Sequence, residues 1–355
     1  MRFPWSVYRG NSAWVPPLLS DFKKKLDTER NPFYRHAEIQ PFLAWHNGAV
    51  VGTVAAIIDH EYNNFHDERT GFFGFFEAED LVVVARALLN AAGDWLKARG
   101  MTHLRGPVNP STAESMGTLL DAYDLPSAIL MAYNPSYYPR LLEAAGLAKA
   151  RDLVALYMDS RETPVPPRAA RLAELVRRRH NVTIRSADLH QLDREMALLK
   201  LIYNDAWTRN WGFVPWSDEE IEYSAADLKM VLDPDLVFFA FVDGEPAGFS
   251  LALPDFHQVL RRLNGRLLPT GLFKVLWYRR RIDLLRVVMA GIRHKYRSLA
   301  LDAVFYHETY TRGVAKGYWR GEFSWVLEDN HAMRNTLAKL GARVYKRYRI
   351  YERRL

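Results

Sequence analysis

The stretch "FLAWHNGAVVGTVAAIID" occupies Phe42 to Asp59, and "FFAFVDGEPAGFSLALPD" occupies Phe238 to Asp255. Laid over one another, Phe42 falls on Phe238, Ala44 on Ala240, Gly48 on Gly244, Gly52 on Gly248 and Asp59 on Asp255, at a constant offset of 196 positions. Each is a pair of apolar runs around a turn. Asn47-Gly48 and Asp243-Gly244 are dipeptides that accept the positive φ of a tight β-hairpin.

The same offset joins Asn134 to Asn330. "NPSYYPRLLEAAG" (Asn134–Gly146) and "NHAMRNTLAKLG" (Asn330–Gly341) each read as a helix with an Asn N-cap and a closing Gly. A strand-like run follows each Gly. Two landmarks at one separation predict a duplicated domain.

Bulk composition agrees with that prediction. A chain of 355 residues, 49% hydrophobic and 25% charged, has the size and composition of two globular domains. No run is apolar and long enough for a membrane span, and "MRFPWSVYRGNSAWVPPLL" lacks the apolar core of a signal peptide. A cytoplasmic protein is expected. With no Cys, disulfides, zinc–thiolate sites and a cysteine nucleophile are excluded.

Alternating helical and strand-like runs predict an α/β (α+β) fold with a mixed sheet in each half. In the first half a strand is expected over Thr70–Asp80, a helix over Leu81–Arg99 closed by Gly100, and a strand in "AILMAYNPSYY" running into the Asn134 helix. The halves are placed at 1–159 and 170–355, joined by a Pro-rich linker at 160–169, "SRETPVPPRA". In the second half "LLRVVMAGI" and "EFSWVLEDN" read as strands.

The order of elements resembles the GNAT acyltransferase fold, twice over. Eight words in order also resemble the bacterial ceramide-synthase-like (YghO-like) tandem-GNAT proteins: "WVPPL" at Trp14, "NPFYRHAE" at Asn31, "GFFGFFE" at Gly71, "RGPVNPS" at Arg105, "YNPSYY" at Tyr133, "YNDAWTRNWGFVP" at Tyr203, "SWVLEDN" at Ser324 and "YKRYRIYE" at Tyr345. The resemblance implies transfer of an acyl group from an acyl-CoA, acetyl-CoA or a long-chain one, to a small-molecule or lipid amine in an interdomain cleft. It implies no metal.

GNAT domains usually place Gln/Arg-x-x-Gly-x-Gly/Ala where a strand enters a helix, so that bare N–H groups face the coenzyme pyrophosphate. The matching stretch here, "YRSLALDAVF", puts Arg297 at the first position and Ala300 at the first glycine. Arg293, Lys295, Arg297, Ser298, Ala300 and Asn330 are the expected coenzyme residues. Asp302 reads as a first-turn helix acid. In the first half the equivalent place has no glycine and carries Glu77, Glu79 and Asp80, whose charges would repel phosphate, so that half is expected to have lost its coenzyme site.

The frequent GNAT acid, a Tyr seven residues after the capping Asn, is replaced by Leu337. Glu77 as base, Glu328, and Tyr345 or the Tyr137/Tyr138 pair are the catalytic candidates. Irregular segments supply the acceptor-site candidates: Arg105, Asn109, Glu114, Tyr133, Asn134, Tyr203, Asn204, Trp207, Asn210 and Trp211. Turn formation by Asn-Pro and a core stripe at Trp207 and Trp211 are the structural alternatives. His60 and His66 lie six apart, off the spacing of a zinc-binding helix, and "HEYNNFHDE" is expected to be a polar loop.

From Phe256 to Ile282 seven Lys or Arg are interleaved with Leu, Phe and Trp, without one Asp or Glu. This insertion at 256–282 is expected to touch the inner membrane face peripherally, with nucleic acid the less expected partner. The other reading of the chain is a retired catalyst that uses this basic face for binding. The sequence carries no signal for an oligomeric state.

Overall fold

The computed structural model describes residues 2–228, 231–267 and 271–355. Positions 268–270 of the expected insertion, Leu268 among them, lie outside the described residues. In chain order the elements begin with α1 (Phe3–Val7), α2 (Leu19–Lys25), the hairpin β1 (Ala37–His46) and β2 (Ala49–Asp59), α3 (His60–His66), β3 (Thr70–Ala78), α4 (Val82–Lys97) and β4 (His103–Gly106). Short strands β5 (Val108–Asn109), β6 (Ser115–Met116) and β7 (Thr118–Leu119) precede α5 (Tyr138–Ala144) and β8 (Ala148–Asp159). Then come α6 (Pro167–Arg179), β9 (Val182–Ser186), α7 (Leu192–Trp207), α8 (Asp218–Leu228), β10 (Val237–Val242), β11 (Glu245–Pro254), α9 (His257–Leu260) and α10 (Gly271–Tyr278). The chain closes with β12 (Leu284–Ile292), α11 (Leu301–Ala315), β13 (Arg320–Leu327), α12 (His331–Lys339) and β14 (Arg343–Arg354).

Two compact units result. One comprises Met1–Val154, His257–Trp277 and Lys346–Leu355, the other Ala155–Phe256 and Tyr278–Tyr345. The end of the chain therefore belongs to the unit built mainly from its beginning.

In the first unit the strand order is β1-β2-β3-β4-β14. The β1–β2, β2–β3 and β4–β14 pairs are antiparallel, whereas β3 and β4 run parallel over Thr70–Phe72 and His103–Arg105. In α4, Val84, Leu88 and Leu96 face the sheet and pack with Val54, Phe73 and Leu104 in one core. The second unit repeats this as β9-β10-β11-β12-β13. Here β12 and β13 are the parallel pair, over Leu284–Val287 and Arg320–Phe323.

The two quoted hairpins are the same structure. Their turns place Asn47, Gly48, Asp243 and Gly244 at positive φ, as their sequence requires. Their registers shift between Ala44 and Trp45 and between Ala240 and Phe241, at the same offset as the sequence match. Gly52 lies against Val84 and Leu88 of α4, and Gly248 against Phe305 of α11, so close that an added Cβ would stand 2.8 Å or less from those side chains. Each glycine lets a helix settle on its hairpin.

The second landmark holds in one half. Asn330 caps α12, its Oδ1 accepting the Met333 N–H at 3.1 Å. Asn134 caps nothing: α5 starts at Tyr138, and the buried Asn134 side chain accepts the Leu119 N–H at 2.6 Å and donates to the Leu119 carbonyl at 3.2 Å. No strand forms over 128–134, because Asn134 itself takes the backbone groups of Leu119. The stretch expected as a polar loop at His60 is helix α3, capped by Asp59, which accepts the Tyr62 N–H at 3.0 Å. Helix α6 begins within the expected linker, at Pro167, a residue type suited to a helical first turn.

Candidate functional site

In the second unit β12 pairs with β13 only as far as Val287 and Phe323. A register shift between Leu251 and Ala252 leaves Val288 as an extra residue in β12, and a bulge of this kind turns a strand away from its neighbour. A pocket of about 590 Å³ lies in this unit, walled by one face of α11, the paired stretch of the parallel strands, and residues of α6 and α12. Leu285, Val287, Phe323 and Leu340 make it largely apolar.

Three polar atoms in this wall are buried without a hydrogen-bond partner among the described residues: Thr309 Oγ1, His307 Nδ1 and Trp319 Nε1. An orphaned buried polar group costs about 1–3 kcal/mol, and three of them share this one cavity. Arg168 and Lys339 also line the pocket. Neither has an ion-pair partner among the described residues. Ala300 and Asp302 lie at its α11 end, where Ala300 adopts the left-handed conformation (φ 55°) and no side chain among the described residues caps the helix.

The basic residues expected to cradle a coenzyme are engaged elsewhere. Arg293 Nε donates to Asp205 at 3.0 Å and Arg293 Nη1 to the Pro246 carbonyl at 3.0 Å. Lys295 pairs with Glu245, and Arg297 Nη2 donates to the Ala206 carbonyl at 2.5 Å. Ser298 is exposed. Of the six expected coenzyme residues, Ala300 alone lines the pocket.

The catalytic candidates are scattered. The Glu328 carbonyl accepts from Arg334 Nη1 at 2.6 Å in the turn before α12. The Tyr345 hydroxyl donates to the buried carboxylate of Glu322, which also accepts from Ser324; Ser324 Oγ in turn accepts from Arg286 Nε at 2.8 Å. Glu77 lies half-buried in the first unit beside Tyr8 and Tyr138, whose hydroxyls donate to it at 3.3 and 2.5 Å. Burial raises its pKa from 4.5 to about 7, against the lowering effect of the two hydroxyls. It therefore does not stand at the helix entrance as a free negative charge. Of its two expected companions there, Asp80 is exposed and paired with Arg140, and Glu79 is exposed.

The first unit parts its parallel strands too, but its own chain fills the gap. After the cis Gly106-Pro107 bond, β5 lies across β3. An added Cβ on Gly74 would overlap the Val108 carbonyl, and Asn109 Oδ1 accepts the Phe75 N–H at 2.6 Å. The backbone donor at the bulge is thereby satisfied from within.

Other expected acceptor residues hold this unit together. Arg105 Nη1 donates to the Tyr62 hydroxyl at 2.6 Å and to Glu68 at 3.0 Å, and Arg105 Nε to Glu352 of β14 at 2.5 Å. Glu114 accepts from Lys25 Nζ at 2.7 Å, and the Tyr133 hydroxyl donates to the Tyr123 carbonyl at 2.6 Å. In the second unit, Tyr203 stacks between Trp207 and Trp216 at centroid distances of 5.1 and 4.9 Å. Trp207 covers Gly291 of β12 so closely that a Cβ there would enter its ring. Asn204 Oδ1 is a buried acceptor without a partner among the described residues. Asn210 and Trp211 are half-buried in the turn after α7.

Among the described residues no group of three His, Cys, Asp or Glu could hold a metal ion, and no helix is long and apolar enough to cross a membrane.

No family model matches the chain. It is 38% identical over 349 residues to the bacterial ceramide synthase of Caulobacter vibrioides, covering 96% of this chain and 90% of that protein. It is 32% identical over 364 residues to protein YghO of Escherichia coli, covering 100% and 92%. Among solved structures it is similar to a tandem GNAT protein from the clavulanic acid biosynthesis pathway (TM-score 0.51, 13% identity, 90% of this chain and 83% of that one). It is also similar to a GCN5-related N-acetyltransferase from Sphaerobacter thermophilus (TM-score 0.50, 12% identity, 87% and 78%). The fold is that of the tandem GNAT proteins, as the sequence led one to expect, and the kinship supports an acyltransferase in general.

Proposed function

Because the chain belongs to the family of the bacterial ceramide synthase and YghO, we propose that it transfers an acyl group from coenzyme A to an amine, with the donor held in the pocket along α11 and a long-chain lipid amine as acceptor. The amine nitrogen attacks the thioester carbonyl, the C–S bond breaks, and the thiolate leaves with a proton.

The observation that carries this reading is the make-up of the pocket of the second unit. Its uncapped helix N-terminus suits a pyrophosphate. Arg168 and Lys339 at its wall offer charge to further phosphate. Thr309, His307 and Trp319 offer buried hydrogen-bonding atoms to the amide-bearing arm of the coenzyme. The apolar strand residues suit an acyl chain. The lipid acceptor rests on the name of the Caulobacter relative.

Calorimetry with acetyl-CoA and palmitoyl-CoA tests the donor site, on the wild type, on Ala303→Phe, which fills the pocket, and on the double variant Arg168→Glu, Lys339→Glu. Expected is binding of one or both donors, lost in the filled pocket and weakened roughly tenfold or more by the charge reversals. Absence of binding would instead favour a retired catalyst. If binding is found, mass spectrometry of products from a sphingoid-type amine and from short amines separates the lipid acceptor from the alternatives.

A further inference from the structure

Helix α10 turns four large apolar side chains to solvent: Leu272 is 58% exposed, Phe273 75%, Leu276 51% and Trp277 64%. Spaced at i, i+1, i+4 and i+5, they form one face. A face of this kind loses free energy in water unless something covers it.

Beside it in the chain, Arg261 and Arg262 line a second cavity of about 580 Å³ together with Arg9. Its remaining wall is aromatic and polar. Trp14 stacks on Tyr8 at 4.6 Å, Trp5 meets Trp14 edge-on at 5.3 Å, and among the described residues no carboxylate lines the space. The cavity is built rather than incidental. Trp5 Nε1 donates to Asn264 Oδ1 at 3.1 Å, the Leu19 N–H donates to the Gly265 carbonyl at 3.3 Å, and Gly265 at φ 77° leaves no room for a Cβ beneath Trp5.

We propose that this segment is a docking surface for an anionic lipid bilayer, with the α10 face entering the acyl region and the Arg9, Arg261 and Arg262 pocket taking a lipid phosphate headgroup. Charge decides among the occupants. Between Phe256 and Ile282 there are seven Lys or Arg and no acid, so two copies joined through this face would set like charges against each other. A nucleic acid would neutralise the arginines but leave Phe273 and Trp277 wet. An anionic bilayer satisfies both, since apolar side chains sink below the headgroups while arginines remain among the phosphates. The inference does not rest on acyl transfer, and its test contains no donor or acceptor.

The full chain is sedimented with phosphatidylcholine vesicles and with vesicles that also carry phosphatidylglycerol, at low and physiological salt. Expected is binding to the anionic vesicles alone, weakening as salt rises. Phe273→Ser with Trp277→Ser, and separately Arg261→Glu with Arg262→Glu, should each lower the partition coefficient roughly tenfold or more. Unchanged circular dichroism and melting temperature establish that the variants fold. Equal binding to neutral vesicles, no binding, or variants that bind like the wild type would overturn the proposal. So would a dimer in analytical ultracentrifugation that Phe273→Ser dissolves.

Discussion

The hydroxyl of Tyr138 donates to Glu77 Oε2 at 2.5 Å while that of Tyr8 donates to Oε1 at 3.3 Å, so a carboxyl group is enclosed with both oxygens engaged. Burial and the neighbouring Glu77 push both phenols well above their usual range. They remain neutral donors, and the titrating member of the cluster is Glu77, at about 7.

That value fixes a sign. Between pH 4.5 and about 7 the folded protein keeps a proton on Glu77 that the unfolded chain releases. Stability from this group is complete at the acid end and is lost as pH rises through 7, by on the order of 3 kcal/mol. Glu77→Gln keeps the shape without the charge. Its melting temperature should exceed that of the wild type by several degrees above pH 7 and converge with it near pH 4.5. Parallel profiles for the two proteins would mean that Glu77 is ionised throughout.

Asn109 closes the gap in the first unit by accepting the Phe75 N–H at 2.6 Å. Phe75 sits at φ 49°, an unfavourable conformation for a bulky residue. Asn109→Ala leaves a half-buried donor unsatisfied at a bulge, and a loss of about 1 kcal/mol in denaturant unfolding is expected. Asn109→Asp, which retains the acceptor, should recover most of it. An acceptor role for Asn109 in substrate binding predicts the reverse pattern, with stability unchanged and the amine KM raised.

How far the sequence could be read follows from how local each signal is. The hairpins were legible because turn, bulge and Gly52 or Gly248 all lie within one short stretch. Asn330 and Asn134 stand in similar words, yet only Asn330 caps a helix, because Asn134 meets Leu119, a partner that no helix pattern reveals. Arg293 and Lys295 looked like a phosphate cradle since their counter-charges, Asp205 and Glu245, come from α7 and β11. Arg168 and Lys339 look like ordinary surface cations until α6 and α12 bring them to one pocket. A signal for the pocket did exist. Ala303, Tyr306, His307 and Tyr310 recur at helical spacing on one face of α11, a pattern that in sequence cannot be told from a core stripe.

Thr309 offers a test of the pocket that needs no loss of fold. Its hydroxyl is buried without a partner among the described residues, so Thr309→Val removes an unmet polar group at nearly constant volume. The melting temperature should hold or rise by a few degrees, the opposite of the usual cost of such a change. Donor binding by calorimetry should weaken severalfold if the hydroxyl serves the ligand. A variant both more stable and equally avid would remove Thr309 from the site.

Asp302 is the residue in the pocket that opposes an anion. It sits in the first turn of α11, where its charge favours the helix dipole and repels phosphate at the same N–H groups. Asp302→Asn should therefore separate two quantities that usually move together. Folding stability should fall by about 0.3–1 kcal/mol as the dipole loses its partner. Affinity for acyl-CoA should rise severalfold, more at low salt than at physiological salt. Were the phosphates bound away from this helix end, the substitution would cost the same stability and leave the dissociation constant and its salt dependence where they were.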